Sequence, residues 1–458
     1  MTTLATIMSA HRDPAALIAC SHQEQYCWQD FQRAVVGLAQ RLQHHPAQRW
    51  LLCEEHSYRF AVGLMALLHS GKTIVLPPSS QPGVLKEVAE HCEAMLGPEQ
   101  QIIAGMLIDG EPYDDEASLV FEVLDAEHCV IEVMTSGSTG TAQRIVKSLA
   151  SIEAELTCQA ALWGELLTGT TVMSTVSHQH IYGLLFRLLL PLRLGCPFWV
   201  ANHAYPEQLF ADMMHWPTPV SLVSSPALLA RLPEQLAISE STQRPTVIFS
   251  SGGPLPYCAA RHVEQLLGQL PVEIFGSTET GGVGWRRQQH PETYWQALPG
   301  VTVSCDNDLL KVQSAFCCYR DGFTMGDKSS FGAEGQFRLL GRADRIVKIE
   351  EKRLSLQEME VRLKDSDWVD DARLLVLDGR RQQLAVVIVP TQLGESVLRE
   401  RGKRALNELL KAYLLNYFER VVLPRKWRYP TSLPYNSQGK VPLQALTYLF
   451  SASVEQPL

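Results

Sequence analysis

An α/β fold in two domains is what the 458-residue sequence predicts, and three observations predict it. The chain is longer than one ordinary hydrophobic core supports, so it should divide at least once. Between about residues 120 and 280, short apolar runs alternate with longer helix-like stretches, the pattern of helices layered on a sheet. After Asp344 charged residues become denser and the elements change to those of a small α+β unit. The expected domains are therefore residues 1–342 and 343–458, with the boundary at Arg342 to Asp344.

Residues 28–42 carry an amphipathic helical pattern, and residues 50–53 and 73–76 read as strands flanking a helix at 60–69. Val130-Ile131-Glu132-Val133-Met134 is an apolar run that reads as a buried strand. Further runs lie at 172–176, 198–201, 220–224, 246–250 and 272–275. Pro206 and Pro226 fall where a first helical turn would begin, a position that needs no amide proton. In the small unit Ser355-Leu356-Gln357-Glu358 is a capping box that starts a helix to about Lys364. Residues 374–377 and 384–389 read as a hairpin across Asp378-Gly379, and a helix over 393–418 is broken near Gly402.

Composition excludes several classes. The formal charge of −9 and the lack of a basic stripe argue against a nucleic-acid partner. No run approaches the ~20 apolar residues of a membrane helix, and residues 1–8 lack the basic start and apolar core of a secretory signal. Eleven cysteines without Cys-x-x-Cys spacing fit neither a zinc site nor a disulfide framework, which points to reduced thiols and a cytoplasmic location. Adjacent Cys317 and Cys318 read as core or strand residues.

The segment richest in chemistry is Thr135-Ser136-Gly137-Ser138-Thr139-Gly140. Hydroxyls and glycines at the exit of a buried strand make a loop whose amides and side chains can wrap phosphate oxygens. No Lys-Ser or Lys-Thr follows at Walker spacing, and a segment like this taken alone is more often an ordinary turn. It is followed in order by Phe275-Gly276-Ser277-Thr278-Glu279, Gly326-Asp327, Gly341-Arg342-Ala343-Asp344-Arg345 and Gln438-Gly439-Lys440. This ordered set resembles the adenylate-forming superfamily of acyl-CoA synthetases, aryl-acid ligases, luciferases and peptide-synthetase adenylation domains, over nearly the whole chain.

The resemblance implies a large layered N-terminal domain with mixed sheets flanked by helices, and a small C-terminal lid that rotates about Asp344. It implies ATP and Mg²⁺ as cofactors. Thr135, Ser136, Gly137, Ser138, Thr139 and Gly140 would hold the β- and γ-phosphates, and Thr139 and Glu279 would lie at the metal, a hard cation that takes oxygen ligands. Thr278 would contact the α-phosphate or acyl adenylate, with Gly276 and Ser277 beside it. Phe275 would stack on adenine, either as well as or instead of packing in the core, and Gly252 and Gly253 would form the backbone beside the purine. Asp327 would bind the ribose hydroxyls and Arg342 the ribose or phosphates. His180, preferred to His178, would border the substrate carboxylate, and Lys440 would bridge that carboxylate and the α-phosphate. Residues near Ser224, Ser225, Gly253, Gly281 and Trp285 would line the acid pocket.

Two positions depart from the family pattern. Ala142-Gln143 stands where Pro-Lys is usual, with Arg144 or Lys147 as substitute cations, and Glu351 stands where glycine is usual in the loop serving the thioester step. The expected activity is an ATP-dependent acid–thiol ligase: a small carboxylic acid, aryl or fatty, is activated as an acyl-adenylate and passed to CoA or a phosphopantetheinyl acyl carrier protein. The alternative is a catalytically silent nucleotide-binding regulator or scaffold of the same fold.

Overall fold

The computed structural model describes residues 2–97, 105–107, 121–135, 143–232, 244–333, 335–342, 346–350, 352–377, 382–434, 441 and 443–451. Its residues fall into two compact units, the first including Met1–Ser79, Lys86–Thr135 and Arg144–Ala343, the second including Ser80–Leu85 and Asp344–Leu458.

Among the described residues of the first unit, two sheets form; the apolar runs anticipated three strands of the smaller and five of the larger. The larger has a central parallel run: Leu17–Cys20, Phe198–Trp199, Thr171–Ser174, Val220–Ser224, Ile248–Ser250 and Val272–Ser277 lie side by side in that order. Beyond Val272–Ser277 the direction alternates through Gly281–Arg286, Trp295–Ala297, Gln336–Arg342, Phe323–Phe331, Leu309–Gln313 and Thr302–Asp306. The parallel strands are buried on both faces, which is why they read as continuous apolar runs rather than as alternation. The smaller sheet runs Gly105–Leu107, Ala94–Gly97, Arg49–Leu52, Thr73–Leu76, Val130–Thr135 and Gln143–Ser148.

Helices fill the layers between. The helix Ser57–His69 buries every residue from Phe60 to Leu68, so it is apolar all round and sits inside the unit, where each large side chain contributes roughly 1.5–3 kcal/mol. Trp28–His44 covers the expected amphipathic stretch and extends it by one turn end, burying Trp28, Phe31, Val35, Leu38 and Leu42. Pro206 and Pro226 each occupy the first position of their helix, as their missing amide proton predicts. Leu149–Leu167 is capped by Ser148, whose side chain accepts from the Ser151 amide.

In the second unit Ser355 caps the helix Leu356–Lys364 by accepting from the Glu358 amide at 3.1 Å. Val369–Leu377 and Gln383–Pro390 pair antiparallel, longer than their sequence signal; the Asp378-Gly379 turn lies outside the described residues. The helix Gln392–Leu414 carries the expected interruption at Gly402, with φ 78°. Among the described residues no helix is long and apolar enough to cross a membrane.

Candidate nucleotide-binding site

Ligand sites on parallel sheets gather beyond the carboxyl ends of the strands, and hydroxyl side chains line that edge here. Ser174, Ser224, Ser250 and Ser277 end four neighbouring strands. Their side chains tie the rim together. Thr175 and Ser224 share a hydroxyl bond of 2.9 Å, and Ser251 Oγ donates to Ile274 O at 2.7 Å. Gly252 follows with φ 96°, exposed at this edge.

The hairpin from Val272 to Arg286 is the most tightly built part of the rim. At its open end Glu273 faces Arg286 across the two strands, and the guanidinium donates to both carboxylate oxygens at 2.9 and 3.1 Å while lying over the Trp295 ring at 4.4 Å. Burial pushes the Glu273 carboxyl above its ordinary range against the pull of that arginine. At the closed end Ser277 opposes Gly281, so Thr278, Glu279 and Thr280 form a three-residue loop followed by a left-handed glycine, Gly281 with φ 67°. Ser277 spends its amide on the Thr280 hydroxyl at 3.1 Å and its own hydroxyl on the Thr280 amide at 3.2 Å, so it shapes the turn. A Cβ on Gly276 would lie 2.2 Å from Gly281 O, and the two strands approach that closely because both positions are glycine.

The turn leaves Thr278 half-buried and Glu279 at 5% exposure. Glu279 Oε2 is buried with no hydrogen-bond partner among the described residues. A buried carboxylate oxygen without a donor is costly unless a cation completes it. Glu279 therefore fits a magnesium ligand by its chemistry. Among the described residues no three His, Cys, Asp or Glu side chains gather to hold a metal, as is usual for magnesium bound through one or two carboxylates and substrate phosphates.

Phe275 is half-buried and packs on Trp295 and Phe337, with ring centroids 5.6 and 6.0 Å away. Asp327 and Arg342 are direct partners across the antiparallel strands Phe323–Phe331 and Gln336–Arg342, and Asp327 is 7% exposed. Thr135 ends its strand half-buried. Ser136, Gly137, Ser138, Thr139, Gly140, Asp344, Glu351 and Lys440 lie outside the described residues.

His178 and His180, of which the sequence reading preferred the second, lie in different surroundings. An extended segment would put His178 and His180 on one face. Instead a turn at His178–Gln179 separates them. His178 is 1% exposed, bonded to Glu54 O at 2.7 Å and Ser57 Oγ at 3.2 Å, and burial holds its pKa down to about 3. His180 is exposed at the N-cap of the helix Ile181–Gly183. Gly183 is required there, since a Cβ would meet Ser177 O at 2.0 Å. Helix Ile181–Gly183 runs on into the π-helical turn Leu184–Leu189, where buried Arg187 donates to Val176 O at 3.0 Å and to Asn202, its pKa lowered to about 9 by desolvation. Tyr182, which the sequence reading gave no role of its own, donates to Ser224 O at 3.2 Å and so joins the rim.

The substitute cations behave differently from expectation. Arg144 pairs with Glu132 at 3.3 Å. Lys147 is 2% exposed and donates to Phe316 O at 3.1 Å, which places its ammonium in the interior rather than on a phosphate loop.

A family model described as AMP-binding enzyme matches residues 6–313. The chain belongs to that family. The 4-coumarate–CoA ligase of Halorhodospira halophila is 27% identical over 310 residues, covering 67% of this chain and 73% of that protein. Among solved structures, the amide bond synthetase McbA from Marinactinospora thermotolerans superposes with a TM-score of 0.80 at 16% identity, over 98% of this chain and 100% of the other. A malonyl-CoA ligase with methylmalonyl-CoA and AMP bound gives 0.79 at 18% identity, over 94% and 99%. These structural likenesses show the fold: the α/β architecture of AMP-binding enzymes, with a large mixed-sheet N-terminal domain and a small C-terminal domain.

Sequence reading missed two polar residues beneath the rim of this AMP-binding enzyme. Glu155 and Gln159 are 3% and 0% exposed on the helix Leu149–Leu167. Their signal was available: both fall on the stripe of Ile152, Leu156, Ala160 and Trp163, where polar side chains interrupt an otherwise apolar face.

Proposed function

We propose that the chain is an AMP-forming acid–thiol ligase that activates an aryl or fatty carboxylic acid with ATP and transfers the acyl group to a phosphopantetheine thiol, on CoA or a carrier protein. The carboxylate oxygen attacks the α-phosphorus; an acyl–phosphate bond forms, the α–β bond breaks, and pyrophosphate leaves. A thiolate then attacks the acyl carbon, a thioester forms, and AMP departs with the electron pair. Magnesium bound with the nucleotide would neutralise phosphate charge, and Glu279, with Thr139 by family likeness, would hold it.

The other assignments follow the family pattern. Thr278, with Gly276 and Ser277 beside it, touches the α-phosphate, Phe275 stacks on the adenine with Gly252 and Gly253 at its edge, Asp327 and Arg342 bind the ribose side, and His180 borders the acid. Ser136, Gly137, Ser138 and Gly140, with Thr135, hold the outer phosphates. Lys440 supplies the ammonium for the adenylation step. The observation that carries this reading is the buried oxygen of Glu279, without a hydrogen-bond partner among the described residues, on a turn fixed at the carboxyl edge of the parallel strands. The interior position of Lys147 and the pairing of Arg144 with Glu132 favour the second reading, a silent nucleotide-binding regulator, because both cations expected to replace the usual lysine have other partners.

Pyrophosphate exchange into ATP over a panel of aryl and fatty acids separates the two. An acid-dependent exchange is expected, followed by thioester formation when CoA or a loaded carrier protein is added. Nucleotide binding without exchange for any acid would establish the regulator instead.

A further inference from the structure

We propose that Glu155 and Lys147 are positioning residues for the magnesium-bound nucleotide, two buried side chains of opposite charge that brace the strand leaving the Thr278–Glu279 turn and the segment bonded to Glu279. The inference rests on the reading of Glu279 as the metal carboxylate.

The geometry connects each charge to backbone next to the turn. Glu155 Oε1 accepts from the Gly282 amide at 2.8 Å and from Gln159 Nε2 at 3.2 Å. Its Oε2 occupies the space a Cβ on Gly281 would need, 2.5 Å away. Lys147 Nζ donates to Phe316 O at 3.1 Å, and its charge acts on both Glu155 and the Cys318 thiol. Cys318 in turn donates its amide to Glu279 O at 2.9 Å. One partner thus grips the strand leaving the turn, and the other grips the segment bonded to Glu279 itself.

Two charges removed from water cost several kcal/mol each, and apolar residues would fill the same volume more cheaply. Burial pushes the Glu155 carboxyl upward, and Lys147 is the foremost influence opposing it. What leucines could not supply is directional bonding to Gly282 N–H and Phe316 C=O. Both charges also stand on one rigid piece: Lys147 lies in the strand Gln143–Ser148, Ser148 caps the next helix, and Glu155 lies two turns into it. In the sequence this piece follows directly on loop 136–142, the segment assigned to the outer phosphates.

The test is a calorimetric titration of ATP into the full chain without acid, so that nothing turns over, once with MgCl₂ and once with EDTA. Thermal melts accompany each titration. The variants are Glu155→Gln, Lys147→Met, the double variant, and Glu279→Gln as reference. Each single change should cut the magnesium-dependent gain in ATP affinity about tenfold, the size typical of residues that orient metal ligands, and leave affinity in EDTA within about twofold. The double variant, which strands no lone charge, should recover melting temperature but not the magnesium-dependent gain. It also carries the test if a single variant fails to fold. Lowered melting temperature with an unchanged magnesium gain would make the pair merely structural and overturn the proposal, as would a double variant that binds MgATP like wild type. If Glu279→Gln abolishes the gain while the pair does not alter it, this inference alone falls. If wild type binds no MgATP, the functional reading falls with it.

Discussion

Two hairpin turns in this chain each carry a glutamate, and they are built in opposite ways. Around Glu279 the turn is closed by reciprocal Ser277–Thr280 bonds, a left-handed glycine relieves the backbone, and the acidic side chain is buried with an oxygen left without a partner among the described residues. In the strands Ile346–Ile349 and Lys352–Ser355, Ile349 pairs with Lys352 across a two-residue loop, and Glu350 itself takes the left-handed conformation at φ 49°. The first turn puts its strain into a side chain and keeps the backbone relaxed. The second puts strain into the backbone. Strain in a side chain that a cation can relieve is a binding device, whereas backbone strain in a loop is relieved only by changing the residue.

The largest effect should come from breaking the relaxed backbone of the first turn. Gly281→Ala adds a Cβ 2.5 Å from Glu155 Oε2 and 2.8 Å from the Phe316 ring, at φ 67°. Left-handed alanine costs about 1–2 kcal/mol and overpacking about 1–3 kcal/mol more. Chemical denaturation should show a loss of roughly 2–5 kcal/mol; a loss below about 0.5 kcal/mol would mean that the turn is loose and the contrast with Glu350 is unfounded.

Glu279→Gln sharpens the contrast, because it removes the stored strain without altering shape. Pyrophosphate exchange should fall about 100-fold, near 2.7 kcal/mol of transition-state stabilisation. The melting temperature of the ligand-free protein should stay level or rise, since a buried carboxylate without a partner is replaced by a neutral amide. A drop in melting temperature with exchange intact would assign Glu279 to the core rather than to the metal.

How much of this was legible beforehand follows from what each feature depends on. The parallel strands, the helix-starting prolines, the Ser355 cap and the Gly402 break are local, so apolar runs and single residues announce them. The pairing of Asp327 with Arg342 depends on strand register, and no spacing in the sequence states it. Lys147 misled because its neighbours in the sequence belong to a phosphate loop, whereas its neighbours in space are Phe316 and Glu155. Glu155 was passed over for a related reason: a glutamate on a helix reads as solvated unless its place on the apolar stripe is weighed. His180 was preferred to His178 on the family pattern, and the turn that parts them is not stated by their spacing.

The smallest predicted effect concerns the second turn. A two-residue hairpin loop favours residues that tolerate positive φ, and glutamate is not among them. Glu350→Gly should therefore stabilise the second unit by a net of about 0.5–1 kcal/mol, the relief of about 1–2 kcal/mol of left-handed strain less the entropy that glycine returns to the unfolded chain. Hydrogen exchange of amides in Ile346–Ile349 and Lys352–Ser355 reads the change locally, because among the described residues the two strands pair only with each other. Slower exchange would show that the acidic residue is kept at a cost to the hairpin, which makes its charge the reason for its presence. Faster exchange would mean that Glu350 earns its place through contacts of its side chain, and the two glutamates would then be alike in kind.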